Sequence, residues 1–329
     1  MGTVAILLLA FVIIILILMV KEVYWKEKLQ RLDGRHVLVT GGSSGIGKAV
    51  AIEVARLGGD VTIVARDVNK LKSALEEINN NKVSDKQRIT YISVDVSQNY
   101  NVLQEKIQEI ENNVGPIYML VNCVGQAVCN KFDCAPDSDF RDMLNVNYLG
   151  AVYPSQIIGR LMKDRKEGCI VICGSQASLL GVFGMSAYCG AKFALRGYAE
   201  SLYMEMIPYG VSVTICVPPD TRTPGFEIEN LTKPEETRLI SQTSGLFEPV
   251  DVAQKLLADS LRKRFFSYVG IEGFLLTTLC SGMSPFSSVS ELILQVSLMS
   301  FFRLLSVFYL LHFRNIIRSC SRTTQEKNE

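Results

Sequence analysis

Histidine is nearly missing from this chain, which carries two, His36 and His312, among 329 residues. A Ser-His-Asp hydrolase or a histidine-ligated metal centre needs imidazoles that these cannot supply. One leads into an apolar run and the other lies near the C-terminus. An excess of charge is missing too: the formal net charge is +1 and no long basic run occurs. That removes the electrostatic footprint of a nucleic-acid binder. Nine cysteines, an odd number, include no C-x-x-C pair, so neither a disulfide framework nor a zinc site is indicated, and no metal is expected. Even the densest group, Cys123, Cys129 and Cys134, reads as ordinary buried or loop thiols. Free thiols suit a reducing compartment. Internal repeats and low-complexity tracts are absent as well.

Apolar sequence, by contrast, is abundant, and it begins at once: residues 1–20 contain no charge. At about 1.5 Å per helical residue, ~20 residues cover the ~30 Å hydrocarbon core of a bilayer. Residues 1–20 are therefore expected to form a transmembrane anchor. The competing reading, a cleaved signal peptide, needs basic residues ahead of the apolar run and small residues at the cut. Nothing basic precedes the run, and Leu18-Met-Val-Lys-Glu22 offers no small residue. Lys21, Lys26, Lys28 and Arg31 follow in a short charged linker, 21–34. The positive-inside rule then puts the following domain in the cytosol.

From residue 35 short β-branched runs alternate with helical patterns. Strands are expected at His36–Thr40, Asp60–Ala65, 89–94, 118–122, 169–174 and 211–217, with 265–271 as a seventh. Helices are expected over 45–57, through Lys70 and Glu77, over 102–113, from Asp137 or Ser138 onward, and over 186–207. The class is α/β, a doubly wound parallel sheet of about seven strands with helices on both faces. It occupies one catalytic domain, 35–271. Residues 272–313 are apolar again and are expected to associate with the membrane, although Pro285, Glu291 and Arg303 interrupt them. Two full spans, an interfacial or re-entrant hairpin, and a soluble helix pair closing over a substrate cleft or a dimer contact all fit. Arg303 would be costly at mid-bilayer, which favours the hairpin over two spans. The tail, 314–329, is basic and then polar, as suits the cytosolic side.

Two motifs carry the chemistry. The first is Thr40-Gly-Gly-Ser-Ser-Gly-Ile-Gly47, between the first strand and its helix. Glycines there allow a tight turn and close backbone approach, and a helix N-terminus faces a pyrophosphate. Gly41, Ser43, Ser44, Gly45, Ile46 and Gly47 are thus candidate cofactor contacts. The second strand ends in Ala65 and is followed by Arg66. An arginine there accommodates a 2′-phosphate where a carboxylate would bind the ribose, so NADPH is expected. Asp67 falls beyond the strand end and reads as a helix cap. Lys70, one turn on, adds a second charge to the phosphate or is a solvated surface lysine.

The second motif is Tyr188 with Lys192, four residues apart and on one helix face. A neighbouring ammonium favours phenolate and is expected to lower the phenol from its ordinary value near ~10. That would make Tyr188 a proton donor or acceptor near neutral pH. With a nucleotide site upstream, the implied chemistry is proton transfer coupled to hydride transfer. Ser175 lies 13 residues before Tyr188.

Over about 35–271 the chain resembles the short-chain dehydrogenase/reductase superfamily. The likeness rests on 40–47, Asp95 with Val96, Asn122-Cys-Val-Gly125, Asn147, Ser175, Tyr188-x3-Lys192 and Pro218-Pro-Asp-Thr-Arg-Thr223. Cys123-Val124 stands where the family has Asn-Ala, and Pro219 where it has Gly. The resemblance implies a Rossmann-like fold with Asn147, Ser175, Tyr188 and Lys192 as catalytic residues. In it Tyr188 gives the proton, Lys192 holds the cofactor ribose, Ser175 bonds the carbonyl oxygen and Asn147 relays to solvent. Asp95, Val96 and Asn122 would meet the adenosine half of the cofactor, and Thr221 and Thr223 its carboxamide. Plainer readings exist: Asp95 as a strand-end turn residue, both threonines as turn formers, Asn147 bonded within its own helix.

Stretches 218–225, 232–241, 94–98 and 146–150, with the apolar termini, are similar to the branch acting on a long-chain keto-sphingoid base. That implies the endoplasmic reticulum membrane, the catalytic domain facing the cytosol, the lipid bilayer as a partner, and room for a homo-oligomer. Two rivals stay open. One is a membrane-anchored steroid or retinoid oxidoreductase on the lumenal side, where the acceptor pattern Asn230-Leu-Thr232 would carry a glycan. The other is an NADP-binding membrane scaffold without turnover.

Overall fold

The computed structural model describes residues 2–24, 29–243 and 245–326. A helix, α1 (Gly2–Tyr24), precedes the catalytic unit. There β1 (His36–Thr40), α2 (Gly45–Arg56), β2 (Asp60–Ala65), α3 (Val68–Asn79) and β3 (Ile89–Ser93) build the first half. The second half follows with α4 (Tyr100–Val114), β4 (Ile117–Asn122), α5 (Asp137–Met143), a π-helical turn (Leu144–Leu149), α6 (Gly150–Arg165) and β5 (Cys169–Cys173). Next come α7 (Ser186–Met206), β6 (Ser212–Cys216), α8 (Pro224–Thr232), α9 (Glu235–Ser241), α10 (Pro249–Leu261) and β7 (Phe266–Ser267). The chain closes with α11 (Gly270–Leu279) and α12 (Val289–Glu326).

All seven strands are parallel, in the order β3-β2-β1-β4-β5-β6-β7. Parallel neighbours need crossovers, and the helices supply them. Both sheet faces are covered, so β1 reads as an unbroken apolar run and all five of its residues are buried. Alternation along the strands feeds two cores. Leu38, Leu120, Ile170 and Ile215 face one, while Val37, Val39, Val121 and Val171 face the other. Strand order reverses at β1, where β2 lies on one side and β4 on the other. That switch point opens a crevice at the carboxyl ends of both strands.

His36 is a satisfied core histidine. Its Nδ1–H donates to Gly115 O at 2.7 Å, which leaves Nε2 to accept from the Thr62 hydroxyl at 2.8 Å. Burial lowers its pKa, so it stays neutral. Asp67 caps α3, accepting from the backbone of Asn69 and Lys70 at 2.9 and 3.1 Å, as its position past the strand end implies.

The C-terminal region corrects the idea of two spans. With ten residues, α11 falls short of the ~20 that a bilayer requires. Within α12, Val289–Arg322 is long and apolar enough to cross a membrane, the one such stretch among the described residues, and 11% of its apolar window is buried. The pair packs together, and α12 also contacts α9. At the other terminus α1 runs beyond Val20 to Tyr24 and exposes Ile6, Leu9, Ile14 and Ile17. Lys26 and Lys28, invoked for orientation, lie outside the described residues.

Candidate active site

A cavity of about 860 Å³ runs from the glycine turn to Tyr188 and on to α12. Its floor is set by close backbone approach. A Cβ on Gly41, whose φ is +68°, would stand 2.7 Å from Cys123 O, and one on Gly47 would stand 2.4 Å from Gly41 O. Neither position can hold a larger residue without opening the turn. Ser44 is the N-cap of α2 and makes no side-chain cap bond, so the first N–H groups of the helix keep their donors for a ligand.

Gly41, Ser43, Ser44, Gly45, Ile46 and Gly47 all line this cavity, as do Arg66, Lys70, Asp95 and Val96 on one side. Asn147, Ser175, Tyr188, Lys192, Thr221 and Thr223 line it on the other. Arg66 stays largely exposed at the rim, with Nη1 3.6 Å from Asp95 Oδ2. The other Asp95 oxygen accepts from the backbone and hydroxyl of Ser97 at 2.9 and 2.7 Å. Asp95 thus closes a turn while presenting one oxygen to the cavity. Thr223 caps α8, accepting from Phe226 N at 3.1 Å, and the Thr221 hydroxyl donates to Pro219 O at 2.8 Å. Both threonines line the cavity while serving their turn.

Asn122 stands apart from the other expected cofactor contacts. It does not line the cavity. Its Nδ2 donates to Ser155 Oγ at 3.0 Å and Val171 O at 3.4 Å, and the residue is 2% exposed. Asn122 ties the end of β4 to α6 and β5 instead.

Asn147 sits in the π-helical turn, a feature that often marks functional sites. Its Nδ2 donates to Gln126 O and Met143 O at 2.9 and 3.1 Å, and its Oδ1 accepts from Gln126 N at 3.3 Å. Lys192 is buried, donates to Cys173 O at 3.0 Å, and holds its ammonium 5.6 Å from the Tyr188 ring centroid. Ser175 heads a short 3₁₀ turn in which its Oγ accepts from Ala177 N at 3.1 Å.

The electrostatics of Tyr188 run opposite to the expectation from spacing. Enclosure in the cleft pushes the phenol above its ordinary value, and the Glu229 carboxylate adds to that. A hydrogen bond with Ser175 opposes the rise without cancelling it. Burial likewise lowers Lys192. Desolvation disfavours whichever form is charged, and it is the largest cause for both groups. Tyr188 is therefore held protonated through the neutral range, the state a proton donor needs.

Two features of the site escape sequence reasoning. The first is a row of thiols. Cys173 and Cys216 are in register on β5 and β6, and Cys123 follows Asn122, the partner of Ile172 on β5. Cys123 and Cys173 both line the cavity. A hydrogen bond from Cys123 draws Cys173 below its ordinary value, against burial and with help from the Lys192 ammonium, while Cys123 is pushed up. A thiol is reactive as thiolate, so alkylation of Cys173 by iodoacetamide is expected to set in at a lower pH than for an ordinary thiol. NADPH should protect it. Peptide mapping of the labelled protein against pH checks this, and a midpoint near the ordinary ~8.5 would contradict it. The second feature is a charge cluster: Lys233 lies 2.7 Å from Glu229 and 4.0 Å from Asp220. Two carboxylates sharing one ammonium leave the cavity wall beside Tyr188 with surplus negative charge. Strand order brings the thiols together, and the fold brings Asp220 to the i, i+4 pair Glu229 and Lys233.

Residues 35–233 match the model of a family described as short chain dehydrogenase. The chain is 47% identical over 289 residues to a 3-ketodihydrosphingosine reductase of Mus musculus, covering 88% of this chain and 87% of that one. A 3-dehydrosphinganine reductase of Danio rerio is 46% identical over 290 residues, with 88% and 87% covered. Among solved structures, levodione reductase superposes with a TM-score of 0.65 at 21% identity, covering 73% of this chain and 96% of that one. At that identity the likeness speaks for the fold alone.

Proposed function

The chain belongs to the short chain dehydrogenase family, and on that premise we propose that it reduces the keto group of 3-ketodihydrosphingosine to the hydroxyl of dihydrosphingosine, using NADPH. One observation carries the reading. The glycine turn, Ser175, Tyr188 and Lys192 share a single cavity whose apolar walls lead to a helix of membrane-crossing length. The residues fit the dinucleotide: a cradle that any Cβ would fill, an uncapped helix N-terminus, and Arg66 with Lys70 at the rim. Asp95 and Val96 would hold the adenosine half, and Thr221 and Thr223 the carboxamide side.

When bound, NADPH supplies the hydride that reaches the carbonyl carbon. The chain's own groups manage the proton and the charge. Tyr188 gives its phenolic proton to the carbonyl oxygen as negative charge develops there. Ser175 donates a hydrogen bond to the same oxygen, stabilising that charge. Lys192 would hold the cofactor's ribose hydroxyls, and Asn147 would connect Lys192 to solvent. The substrate carries a protonated amine next to its keto carbon. The surplus charge of Asp220 and Glu229 is of the sign that amine requires.

In the same reading α1 is a membrane anchor and the catalytic domain faces the cytosol from the endoplasmic reticulum membrane. The apolar, exposed length of α1 supports this, as does the position of Lys21 and Arg31 after it. The test is NADPH oxidation by the purified, detergent-solubilised protein, with 3-ketodihydrosphingosine and a ketosteroid side by side and NADH in parallel. The sphingoid ketone with NADPH is expected to give the highest kcat/KM. Faster turnover of the steroid, or equal use of NADH, would overturn the assignment.

A further inference from the structure

Resting on that reading of the reaction, we propose that α11 and α12 form the binding site for the substrate's hydrocarbon chain, loaded sideways from the bilayer between the two helices. The cavity that holds Tyr188 does not end at the catalytic residues. It continues past Leu179 to Leu275, Leu276 and Leu279 of α11, and then to α12. On α12 the lining residues are Arg303, Ser306, Leu310 and Phe313, with Tyr309 beside them. Steps of three, four and three residues place the first four on one helical stripe.

Phe301, Leu304, Phe308 and Leu311 lie off that stripe. They do not line the cavity and are exposed, Leu304 at 60% and Phe308 at 63%. One helix thus offers a lipid-facing surface and a substrate-facing surface back to back. Leu310 lines the cavity yet is 53% exposed, as a residue at an open mouth would be. Arg303, which is costly in an apolar helix, belongs to the inward stripe and donates to Ser306 Oγ at 3.1 Å. It lines the mouth of the cavity, where it stays exposed.

The cavity of about 860 Å³ takes in the dinucleotide site as well, and its part beyond Leu179, at Leu275, Leu276 and Leu279, is lined by no residue assigned to catalysis or to the cofactor. A catalytic centre for proton transfer to one ketone has no use for that extension. The route also has a thermodynamic rationale. The cost of carrying an alkyl chain through water grows with every methylene exposed. Passage from bilayer to an apolar wall continuous with it avoids that cost, and the polar head arrives first at Tyr188.

The experiment uses the full-length protein in liposomes, with an eighteen-carbon and an eight-carbon version of the same amino ketone. Leu310→Trp narrows the mouth and is expected to lower the long-to-short ratio of kcat/KM about tenfold, the scale of discrimination an apolar pocket provides. Leu311→Trp, on the outward face, should leave the ratio unchanged. Equal ratios in Leu310→Trp and wild type, or the same change in both variants, would overturn the proposal. A second measurement does not depend on turnover: an eighteen-carbon amine with a diazirine near its methyl end is photo-crosslinked and the labelled peptides are mapped. Label on α11 or the inward stripe of α12 supports the site, and label confined elsewhere overturns it. A wild type that reduces neither ketone yet crosslinks on that stripe would sink the proposed reaction while leaving the chain site standing.

Discussion

Tyr188→Phe is expected to lower kcat for ketone reduction about 10³-fold, while NADPH binds with nearly unchanged affinity. The substitution keeps the ring and its packing and removes only the hydroxyl. A positioned general acid contributes on the order of 10² to 10⁴ in rate. Ser175 still donates to the carbonyl oxygen in the variant, which is why a residue of catalysis should survive. Because the proton moves only in the transition state, kcat and kcat/KM should fall together with little change in KM. The pH profile follows from the raised phenol. A donor works while protonated and fails as pH rises through its pKa, so the wild-type rate should be flat across the neutral range and decline only in alkali. Stopped-flow NADPH oxidation and fluorescence titration of NADPH measure the two quantities. Residual turnover within tenfold of wild type would take the acid role away from Tyr188.

That the phenol is raised could not be read from Tyr188-x3-Lys192. Spacing on a helix shows that two side chains are neighbours. Which way their pKa values move depends on how far packing strips them of water, a property of the folded cleft. The same boundary separates what was legible elsewhere. β1 and β2 fall where their apolar runs predict, at His36–Thr40 and Asp60–Ala65. The glycine turn was legible because it is contiguous and its constraint is local. Residues 265–271, expected as a full strand, give only Phe266–Ser267 before Gly270, with φ +75°, turns the chain into α11. A short apolar run does not by itself distinguish strand from buried helix. That Asn122 bonds Ser155 of α6 follows from alternation along β4, which its place in the motif does not show. The thiols of Cys123, Cys173 and Cys216 are neighbours only through the order β4-β5-β6. The inward stripe of α12 is periodic in the sequence, yet nothing there says which face meets the cleft.

Arg264→Met is expected to cost about 3–5 kcal/mol of stability, because it breaks a buried ion pair and leaves its partner charged. Arg264 bonds Glu22 through both Nη atoms, at 3.1 Å for Nη2 to Oε2, and the Tyr268 hydroxyl donates to Glu22 Oε1 at 3.0 Å. Asp259, 4% exposed at its side chain, lies 3.8 Å from Arg264 and 2.7 Å from Lys255. Glu22 and Asp259 face Arg264 and Lys255 in this cluster, and the Glu291 carboxylate also acts on Arg264 and Glu22. Removing Arg264 leaves one negative charge uncompensated where Glu22 is 10% exposed at its side chain. The cluster joins the end of α1 to the segment that becomes β7 and then α11, so its loss should loosen the wall proposed for the lipid chain. Thermal unfolding in detergent should show a midpoint lower by on the order of 10 °C. Adding Glu22→Gln removes the stranded charge, so the double variant should be less destabilised than the two single changes summed. Strict additivity would mean that Glu22 and Arg264 stabilise the fold independently, and α1 would then be attached to the catalytic domain by apolar contacts such as that of Ile15 rather than by this pair.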